Sequence, residues 1–269
     1  MKLIFYTILT FAALILLGWL GLKIQPKPFP EFTSASSMVE TIPLPSGLPV
    51  AVEKFYRQVY GDQIPVIESA IISGRATMRV NGITFPARFR FTHIAGQGYR
   101  HYIEATIFGI PIMKVNEHYL DGKGRLDLPF GVFEGDQVDM SANLGLWAET
   151  MWFPALFVTD TRVRWEAVDS ETAILVVPFQ DDEQRFVVRF DPESGLLQIM
   201  ESMRFRDAEG SSKILWLNEA LQWDSLGGSQ LPTIGAATWF DEGTPWAVFT
   251  VEEIVFNADV ATYIRATGP

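Results

Sequence analysis

The sequence predicts a mainly β protein with a roughly eleven-stranded, curved antiparallel sheet, two or three short helices and an N-terminal transmembrane helix. Three observations predict it: an uncharged apolar stretch at residues 3–22, apolar and polar residues that alternate from residue 74 onward, and turn-forming clusters between short strand-like runs. With 269 residues, 48% of them hydrophobic, the chain can bury one sizeable core.

The stretch at residues 3–22 has the length of a membrane span, since twenty helical residues at about 1.5 Å each cover roughly 30 Å. A cleaved signal peptide usually has about 7–15 apolar residues and then a small-x-small site, which is missing before Lys23. We therefore predict an uncleaved anchor at residues 1–24, with a signal peptide and a buried soluble helix as alternatives. We expect a single-pass membrane protein whose acidic, strand-rich C-terminal domain is extracytoplasmic.

Residues 25–45 are rich in proline and serine, beginning with alternating prolines at residues 26–30. Alternating prolines prevent both helix and sheet and favour an extended chain. We therefore predict a linker at residues 25–45 and one β-rich globular domain at residues 46–269.

The clearest strands are two runs of alternating residues, Gly74–Val80 and Ile83–Phe91, with Asn81-Gly82 between them. Asn-Gly between alternating runs is a strong hairpin signal. Short turns also separate the later runs, so neighbouring strands should be antiparallel. These later runs lie at residues 98–108, 111–120, 162–168, 172–179, 185–191, 195–206, 213–223, 233–241 and 245–256.

A sheet of this size curls or folds into two layers. Several strands carry large apolar side chains on both faces; on one of them Trp216 opposes Leu215 and Leu217. Helical spacing of apolar residues predicts short helices near residues 46–61 and 141–151, which would cover one face. A curved sheet with helices in its mouth is a half-barrel and can enclose a cavity.

Charge and cysteine content exclude several classes of function. Residues 1–27 contain three lysines and no acid, which leaves 18 basic against 32 acidic side chains, a net charge of −14, in the rest of the chain. Such a domain repels phosphate backbones, so we expect no nucleic-acid partner. Because the chain has no cysteine, disulfides, thiol catalysis and Cys-type zinc sites are excluded.

The three histidines, His93, His101 and His118, fall in predicted strands without H-x-H or H-x-x-x-H spacing. We expect each to be a sheet-surface residue rather than a base or a metal ligand. No G-x-S-x-G elbow or phosphate loop is present. The sequence therefore predicts no catalytic residue, no metal site and no cofactor.

Three carboxylates stand among apolar residues. Glu149 lies inside an aromatic helix, and Glu201 and Glu219 share strand faces with leucine, isoleucine and methionine. A carboxylate in an apolar setting needs a partner or takes up a proton. A buried ion pair with Arg162, Arg164 or Arg204, a polar anchor in a ligand cavity and a catalytic acid all remain open. The candidate ligand-binding residues are Trp147, Glu149, Trp152, Phe153, Arg164, Trp165, Glu201 and Glu219.

Three motifs carry a family resemblance: Gly47-Leu48-Pro49-Val50, the E-x-x-W-F-P-x-L run at residues 149–156 and the V-R-W-E-A-x-D run at residues 163–169. With them, roughly residues 45–265 resemble a bacterial family of uncharacterised, often membrane-anchored proteins. The resemblance implies no activity. It implies a fold similar to the half-barrel of LolA-like lipoprotein-carrier proteins, a curved antiparallel sheet with helices on its concave side. This chain has an apolar helix where some envelope proteins have a lipid-attached cysteine.

We weigh three functions. The first is a tethered binding protein for a lipid or other apolar ligand. The second is a structural or interaction protein of the cell envelope, with a packed core and a protein partner that contacts an exposed patch of Trp147, Trp152 and Phe153. The third is a hydrolase that uses Glu149 or a histidine. The first two differ in the space under the helix near residues 137–154, which these three aromatic residues would either fill or leave open.

Overall fold

The computed structural model describes residues 2–33, 39–208, 210 and 212–268. The described helices are α1 (Lys2–Gly21), α2 (Val50–Val59), α3 (Asp136–Glu149) and α4 (Leu156–Thr159), with a 3₁₀ turn at Thr150–Trp152. The strands are β1 (Thr41–Pro43), β2 (Gln63–Pro65), β3 (Ser69–Val80), β4 (Ile83–Ile94), β5 (Gly98–Ile107), β6 (Ile110–Leu120), β7 (Lys123–Leu128), β8 (Gly131–Phe133), β9 (Arg164–Ala167), β10 (Thr172–Phe179), β11 (Asp182–Phe190), β12 (Leu197–Phe205), β13 (Lys213–Leu226), β14 (Ser229–Trp239) and β15 (Pro245–Phe256).

Thirteen of these strands form one curved antiparallel sheet in the order β8-β7-β6-β5-β4-β3-β15-β14-β13-β12-β11-β10-β9. The edge strands β8 and β9 do not pair with each other, so the sheet is open. The predicted fold class is confirmed. The sheet exceeds the expected eleven strands by β7 and β8, which lie between the predicted strand at residues 111–120 and the predicted helix near residues 141–151. β1 and β2 form a separate two-stranded ribbon.

The hairpin predicted at Asn81-Gly82 is present, and both residues have positive φ angles, 49° and 79°. Two positive φ angles give the turn a twist that matches the twist of the flanking strands. The same pattern recurs at Phe108-Gly109, where φ is 54° and 73°. These two turns lie at the same end of the sheet, because Thr106 donates a hydrogen bond to the Pro86 carbonyl across β4 and β5.

The core lies on the concave face of the sheet, which α2, α3 and the 3₁₀ turn cover. Trp147, Trp152 and Phe153 are 0%, 4% and 0% exposed, and they fill the space under α3. Phe55 and Tyr56 of α2 are also fully buried. The expected patch of exposed aromatic residues at positions 147, 152 and 153 is therefore absent, because the helix turns these side chains into the core.

The convex face of β3–β5 is covered by the segment that follows α1. Phe29 is 6% exposed and packs against Tyr102 at a ring separation of 5.7 Å. The Phe32 amide donates to Glu253 over 2.7 Å. The proline-rich stretch is thus extended, yet residues 29–32 pack on the sheet. The division into anchor, linker and domain stays a prediction.

Within the described residues, α1 is the one helix long and apolar enough to cross a membrane, over Ile4–Gly21, and little of it is buried against the rest of the chain. Its end contacts the β5–β6 hairpin, where the Phe108 amide donates to the Gly21 carbonyl over 2.9 Å. A Cβ at position 21 would lie 2.6 Å from the Phe108 ring, so this close approach requires glycine.

Candidate functional site

Four ionisable side chains converge on the concave face under the end of α3. His93 lies on β4, His101 on β5 and Glu117 on β6. In the sheet, His101 pairs directly with Glu117 and is diagonal to His93. Because side chains alternate along a strand, this register places all three on one face. Glu149, the last residue of α3, extends towards them from above.

Glu149 is the centre of this cluster. Its Oε2 lies 2.7 Å from His101 Nε2 and 3.1 Å from His93 Nε2. On the far side of the His101 ring, Nδ1 lies 3.5 Å from Glu117 Oε2. Tyr99 donates a hydrogen bond to Glu117 Oε1 over 2.5 Å and stacks its ring on His101 at 3.9 Å. These side-chain contacts form one continuous network that runs from His93 through Glu149, His101 and Glu117 to Tyr99.

His93 is the least satisfied member of the cluster. It is fully buried, and neither ring nitrogen has a hydrogen-bond partner among the described residues. Its one polar contact among them is that of Nε2 with Glu149 Oε2 at 3.1 Å, which helps to lower the pKa of Glu149. The ring packs against Phe153 at 5.3 Å.

The two buried histidines, His93 and His101, differ in the direction of their pKa shifts. Burial lowers the pKa of His101, but the Glu149 charge and hydrogen bonds to Glu117 and Glu149 outweigh it and raise this pKa to about 9. Burial raises the pKa of Glu149, but the charge and hydrogen bond of His101, with a smaller contribution from His93, lower it to about 2. Burial lowers the pKa of His93. At neutral pH the cluster therefore holds ionised Glu149, protonated His101 and neutral His93.

The expectation that the histidines lie on the sheet surface is wrong for His93 and His101, which are 0% and 4% exposed. Only His118, on the opposite face of β6, is partly exposed. The sequence carried a signal for this arrangement. Both residues have odd numbers and flank the turn around Gly96, and in this register that parity puts them on one face of the hairpin.

A cavity of about 90 Å³ lies beside the cluster, between α3, the 3₁₀ turn and the sheet. His101, Glu117 and Glu149 form one part of its wall. Four lining residues carry a buried side-chain N–H group that has no acceptor among the described residues. These donors are the indole Nε1 of Trp152, Trp216 and Trp246 and the amide Nδ2 of Asn218.

Arg204 adds a cationic group to the same wall. Its guanidinium lies over the Trp216 ring at 4.3 Å and donates a hydrogen bond to the Ser141 carbonyl over 3.2 Å. The sequence had proposed Arg204 as the partner of a buried carboxylate. Glu149 uses histidines instead.

The structure brings together some of the sequence-predicted site residues. Glu149 and Trp152 line the cavity, and Phe153 packs on His93 just behind it. Trp147 belongs to the core on the other side of α3, close to Gly96. These four residues form one neighbourhood around the end of α3.

The other predicted site residues lie elsewhere. Arg164 is on the edge strand β9 and is ion-paired with Glu183. The Trp165 indole donates to the Phe157 carbonyl over 3.2 Å. Glu201 and Glu219 are on the outer face of the sheet, where Arg189 (2.8 Å) and Thr238 (3.0 Å) bind them.

Sequence reasoning missed Trp216, Asn218 and Trp246 as part of the site. Trp216 and Asn218 share one face of β13, and this alternation was the available signal. Their position opposite β5 and β6 depends on the curvature of the whole sheet, which local patterns do not specify.

The cluster also offers ligands for a metal ion. One nitrogen each of His93 and His101 and one oxygen of Glu149 all lie within 4.8 Å of one another. Imidazole and carboxylate are common zinc ligands. Glu117 and Tyr99 stand behind His101, where second-shell partners stand in metal sites.

Three solved structures illustrate what the fold is similar to. A LolA superfamily protein from Nitrosomonas europaea is 10% identical, with a TM-score of 0.48, over 82% of this chain and 99% of that one. A DUF1329 family protein from Desulfovibrio piger is 13% identical, with a TM-score of 0.44, over 81% and 100%. A putative outer membrane lipoprotein-sorting protein domain from Vibrio parahaemolyticus is 10% identical, with a TM-score of 0.41, over 78% and 92%.

LolA-like proteins are therefore among the structural neighbours, as the sequence motifs implied, and identities this low say nothing about a shared ligand. Among curated proteins, none matches the chain. One family model matches residues 38–251, which is most of the chain and nearly all of the predicted globular domain. The chain belongs to this family, described as a family of unknown function (DUF6544).

Proposed function

We propose that the protein is a membrane-tethered, extracytoplasmic binding protein for a lipid or other apolar ligand that carries hydrogen-bond acceptors. The observation that carries the proposal is the cavity with four buried N–H donors and no acceptor for them among the described residues. A buried donor without a partner costs about 1–3 kcal/mol. A carbonyl, ester or hydroxyl group of a ligand would remove this cost.

The size of the cavity limits what enters it. At about 90 Å³ it is far smaller than the roughly 300–1,000 Å³ of sites for drug-sized ligands. It has room for about three water molecules at ~30 Å³ each, or for one polar group of a larger molecule. We infer that the polar group of the ligand binds in the cavity, while its apolar part stays outside the packed aromatic core.

Four lining residues of the cavity are half-buried, Glu117, Glu149, Arg204 and Trp246, and we infer that the way out passes Arg204 and Trp246. Trp246 follows the β14–β15 turn, and Arg204 pairs with Ile214 near the start of β13. Both lie at the end of the sheet that carries the Asn81-Gly82 and Phe108-Gly109 turns. This is also the end at which α1 contacts the hairpin.

The same end of the sheet carries exposed apolar side chains, which we call the α1 rim. Phe130 is 71% exposed and Ile110 is 65% exposed. Exposed apolar groups beside a membrane span are favoured to enter the bilayer interface. Membrane anchoring through residues 3–22 would therefore turn the cavity towards the lipid. The α1 rim consists of Ile83, Phe108, Ile110, Ile112, Phe130 and Val132.

The test is native mass spectrometry, with solvent extraction, of the full chain isolated from a bacterial envelope in mild detergent. We expect a co-purifying lipid or apolar molecule. Its occupancy should fall at least tenfold in the double variant Trp216→Phe/Trp246→Phe, which removes two of the free N–H donors. The control Trp223→Phe removes an indole donor that is already bound to the Leu197 carbonyl, and should keep the ligand. A folded wild-type chain that carries no ligand would contradict the proposal. So would a ligand occupancy that is the same in the Trp216→Phe/Trp246→Phe variant as in the Trp223→Phe control.

A second candidate is an interaction protein of the envelope with a solid core. The packing of Trp147, Trp152 and Phe153 under α3 favours it, because it leaves little open space on the concave side. A protein partner would need a different surface from these buried residues. An empty wild-type chain in the mass spectrum, combined with capture of one stoichiometric protein partner, would favour this second candidate.

A further inference from the structure

The His93–His101–Glu149 cluster brings together three potential metal ligands, which the binding of an organic ligand does not require. We propose that these three residues hold one Zn²⁺ ion, with a fourth coordination position that faces the cavity and is taken by water. Two histidines and one glutamate, with an open fourth position, form a known type of zinc site. The proposal goes beyond the proposed function, since neither depends on the other.

The spacing of the ligand atoms suits a tetrahedral ion after a small opening. Bonds of about 2.0–2.1 Å place neighbouring ligand atoms of a tetrahedron about 3.3 Å apart. The Glu149 oxygen lies 3.1 Å from His93 Nε2 and 2.7 Å from His101 Nε2. An ion would need these atoms to separate by roughly 0.2 and 0.6 Å. The two histidine nitrogens lie within 4.8 Å of each other, and side-chain rotation can adjust all three distances.

His93 is the independent sign that something binds here. A fully buried imidazole normally has hydrogen-bond partners, but Nδ1 of this one has none among the described residues, and Nε2 has only its 3.1 Å contact with the Glu149 carboxylate. An ion between them would bind both atoms at once.

Behind His101 stands the kind of support that zinc-bound histidines have. Metal-ligating histidines almost always donate their other ring N–H to a carboxylate or carbonyl, which fixes the tautomer. Glu117 Oε2 lies 3.5 Å from His101 Nδ1, and Tyr99 holds the second Glu117 oxygen over 2.5 Å. His101 Nε2, now 2.7 Å from Glu149 Oε2, would release its proton to solvent when it binds the ion.

The charges are also suited to a divalent cation. Glu149 and Glu117 place two carboxylates around His101, and a zinc ion that replaces the His101 proton would balance both charges. His101 and Glu149 both line the cavity, so the fourth position of the ion would open into it. With about 90 Å³ available, a water molecule fits there.

The test is zinc titration of the full chain in mild detergent, after removal of metal with a chelator, by calorimetry and elemental analysis. We expect one Zn²⁺ per chain. Loss of an outer-shell partner costs about 10–100-fold in metal affinity, so Glu117→Gln should weaken zinc binding by that factor. His93→Gln and His101→Gln remove a ligand and should weaken it more. His118→Gln, the same change on the opposite face, is the matched control and should bind zinc like the wild type.

A second measurement does not depend on how the variants fold. The wild-type chain loaded with Co²⁺ should show the visible absorption of a four-coordinate ion with nitrogen and oxygen ligands.

Circular dichroism of each variant checks its fold. A wild-type chain that takes up no zinc or cobalt would overturn the proposal. So would a folded His93→Gln/His101→Gln variant that binds zinc as tightly as the wild type.

Discussion

The two faces of strands β4 and β5 bury polar groups in different ways. On the convex face, Arg90 donates to Ser73 Oγ over 3.0 Å and to the Pro30 carbonyl, and Tyr102 donates to Glu104 over 2.7 Å. Each face also buries polar atoms without a hydrogen-bond partner among the described residues: Thr92 Oγ1 and Arg100 Nε on the convex face, and His93 Nδ1 on the concave face. Buried polar groups with hydrogen-bond partners stabilise a fold, whereas those without a partner lower the free energy of unfolding. Proteins keep such unpaired groups mainly at functional sites. The concave face differs in having a cavity beside its polar cluster, so we infer binding on that face and a structural role for the other.

The largest expected effect comes from Glu149→Ala. It removes the carboxylate from a buried group with two histidines, and breaking a buried ion pair costs about 3–5 kcal/mol of unfolding free energy. Urea denaturation of the full chain in detergent measures it. The matched control is Glu201→Ala, whose partner Arg189 is half exposed, and which should cost at most about 1 kcal/mol. Equal costs for the two variants would show that the Glu149 cluster adds no special stability.

Arg90→Met tests the convex face. It keeps most of the side-chain volume but removes the hydrogen bonds to Ser73 and to the Pro30 carbonyl. Hydrogen bonds of charged groups contribute about 1.5–3 kcal/mol, so we expect a loss of that size in the same urea experiment. Ligand and zinc binding should be unchanged. A variant that loses binding while its fold is intact would break the distinction between the faces.

His93→Phe should have the opposite effect to Arg90→Met, with little change in stability and a loss of zinc binding. Phenylalanine has a similar shape, and the polar contact that is lost is the 3.1 Å approach of Nε2 to Glu149, which keeps its closer partner His101. We therefore expect a change in unfolding free energy of the metal-free chain within about 1 kcal/mol, in either direction. Zinc binding should disappear, as measured by titration. A stability loss as large as that of Glu149→Ala would instead show that His93 is a structural residue.

The smallest effect on stability is expected at the α1 rim. The chain has no cysteine, so Phe130→Cys and Gln97→Cys each carry one thiol for a polarity-sensitive fluorophore. Gln97 is exposed in the β4–β5 turn at the opposite end of the sheet. With the full chain in liposomes, the label at position 130 should report an apolar environment and the label at position 97 an aqueous one. Identical spectra would argue against contact between the rim and the bilayer.

The repeating elements of this fold could be predicted from sequence because their signals are local. The alternation over residues 74–91 and the Asn81-Gly82 turn determined the first hairpin. β7 was missed because Lys123 and Gly124 look like part of a turn and carry no apolar alternation. Its pairing with β6 is a tertiary effect that overrides local preference.

The candidate site was only partly predictable. Glu149 stood out because a carboxylate interrupts an aromatic helix, and the structure places it at the centre of the cluster. Its partners were misassigned because arginines were expected, while the histidines come from a hairpin 48 residues away from it. The free donors of Trp216 and Trp246 meet His101 only after the sheet curves, so no spacing in the sequence announces them.

The central claim is that the unpaired donors of the concave face hold a ligand. The most direct measurement is a crystal structure of the protein isolated from a bacterial envelope without chelation or delipidation. We predict continuous non-water density in the cavity, with an acceptor atom about 3 Å from Trp216 Nε1 and Asn218 Nδ2. A cavity that contains only water molecules bound to those donors, or that has closed over them, would contradict it.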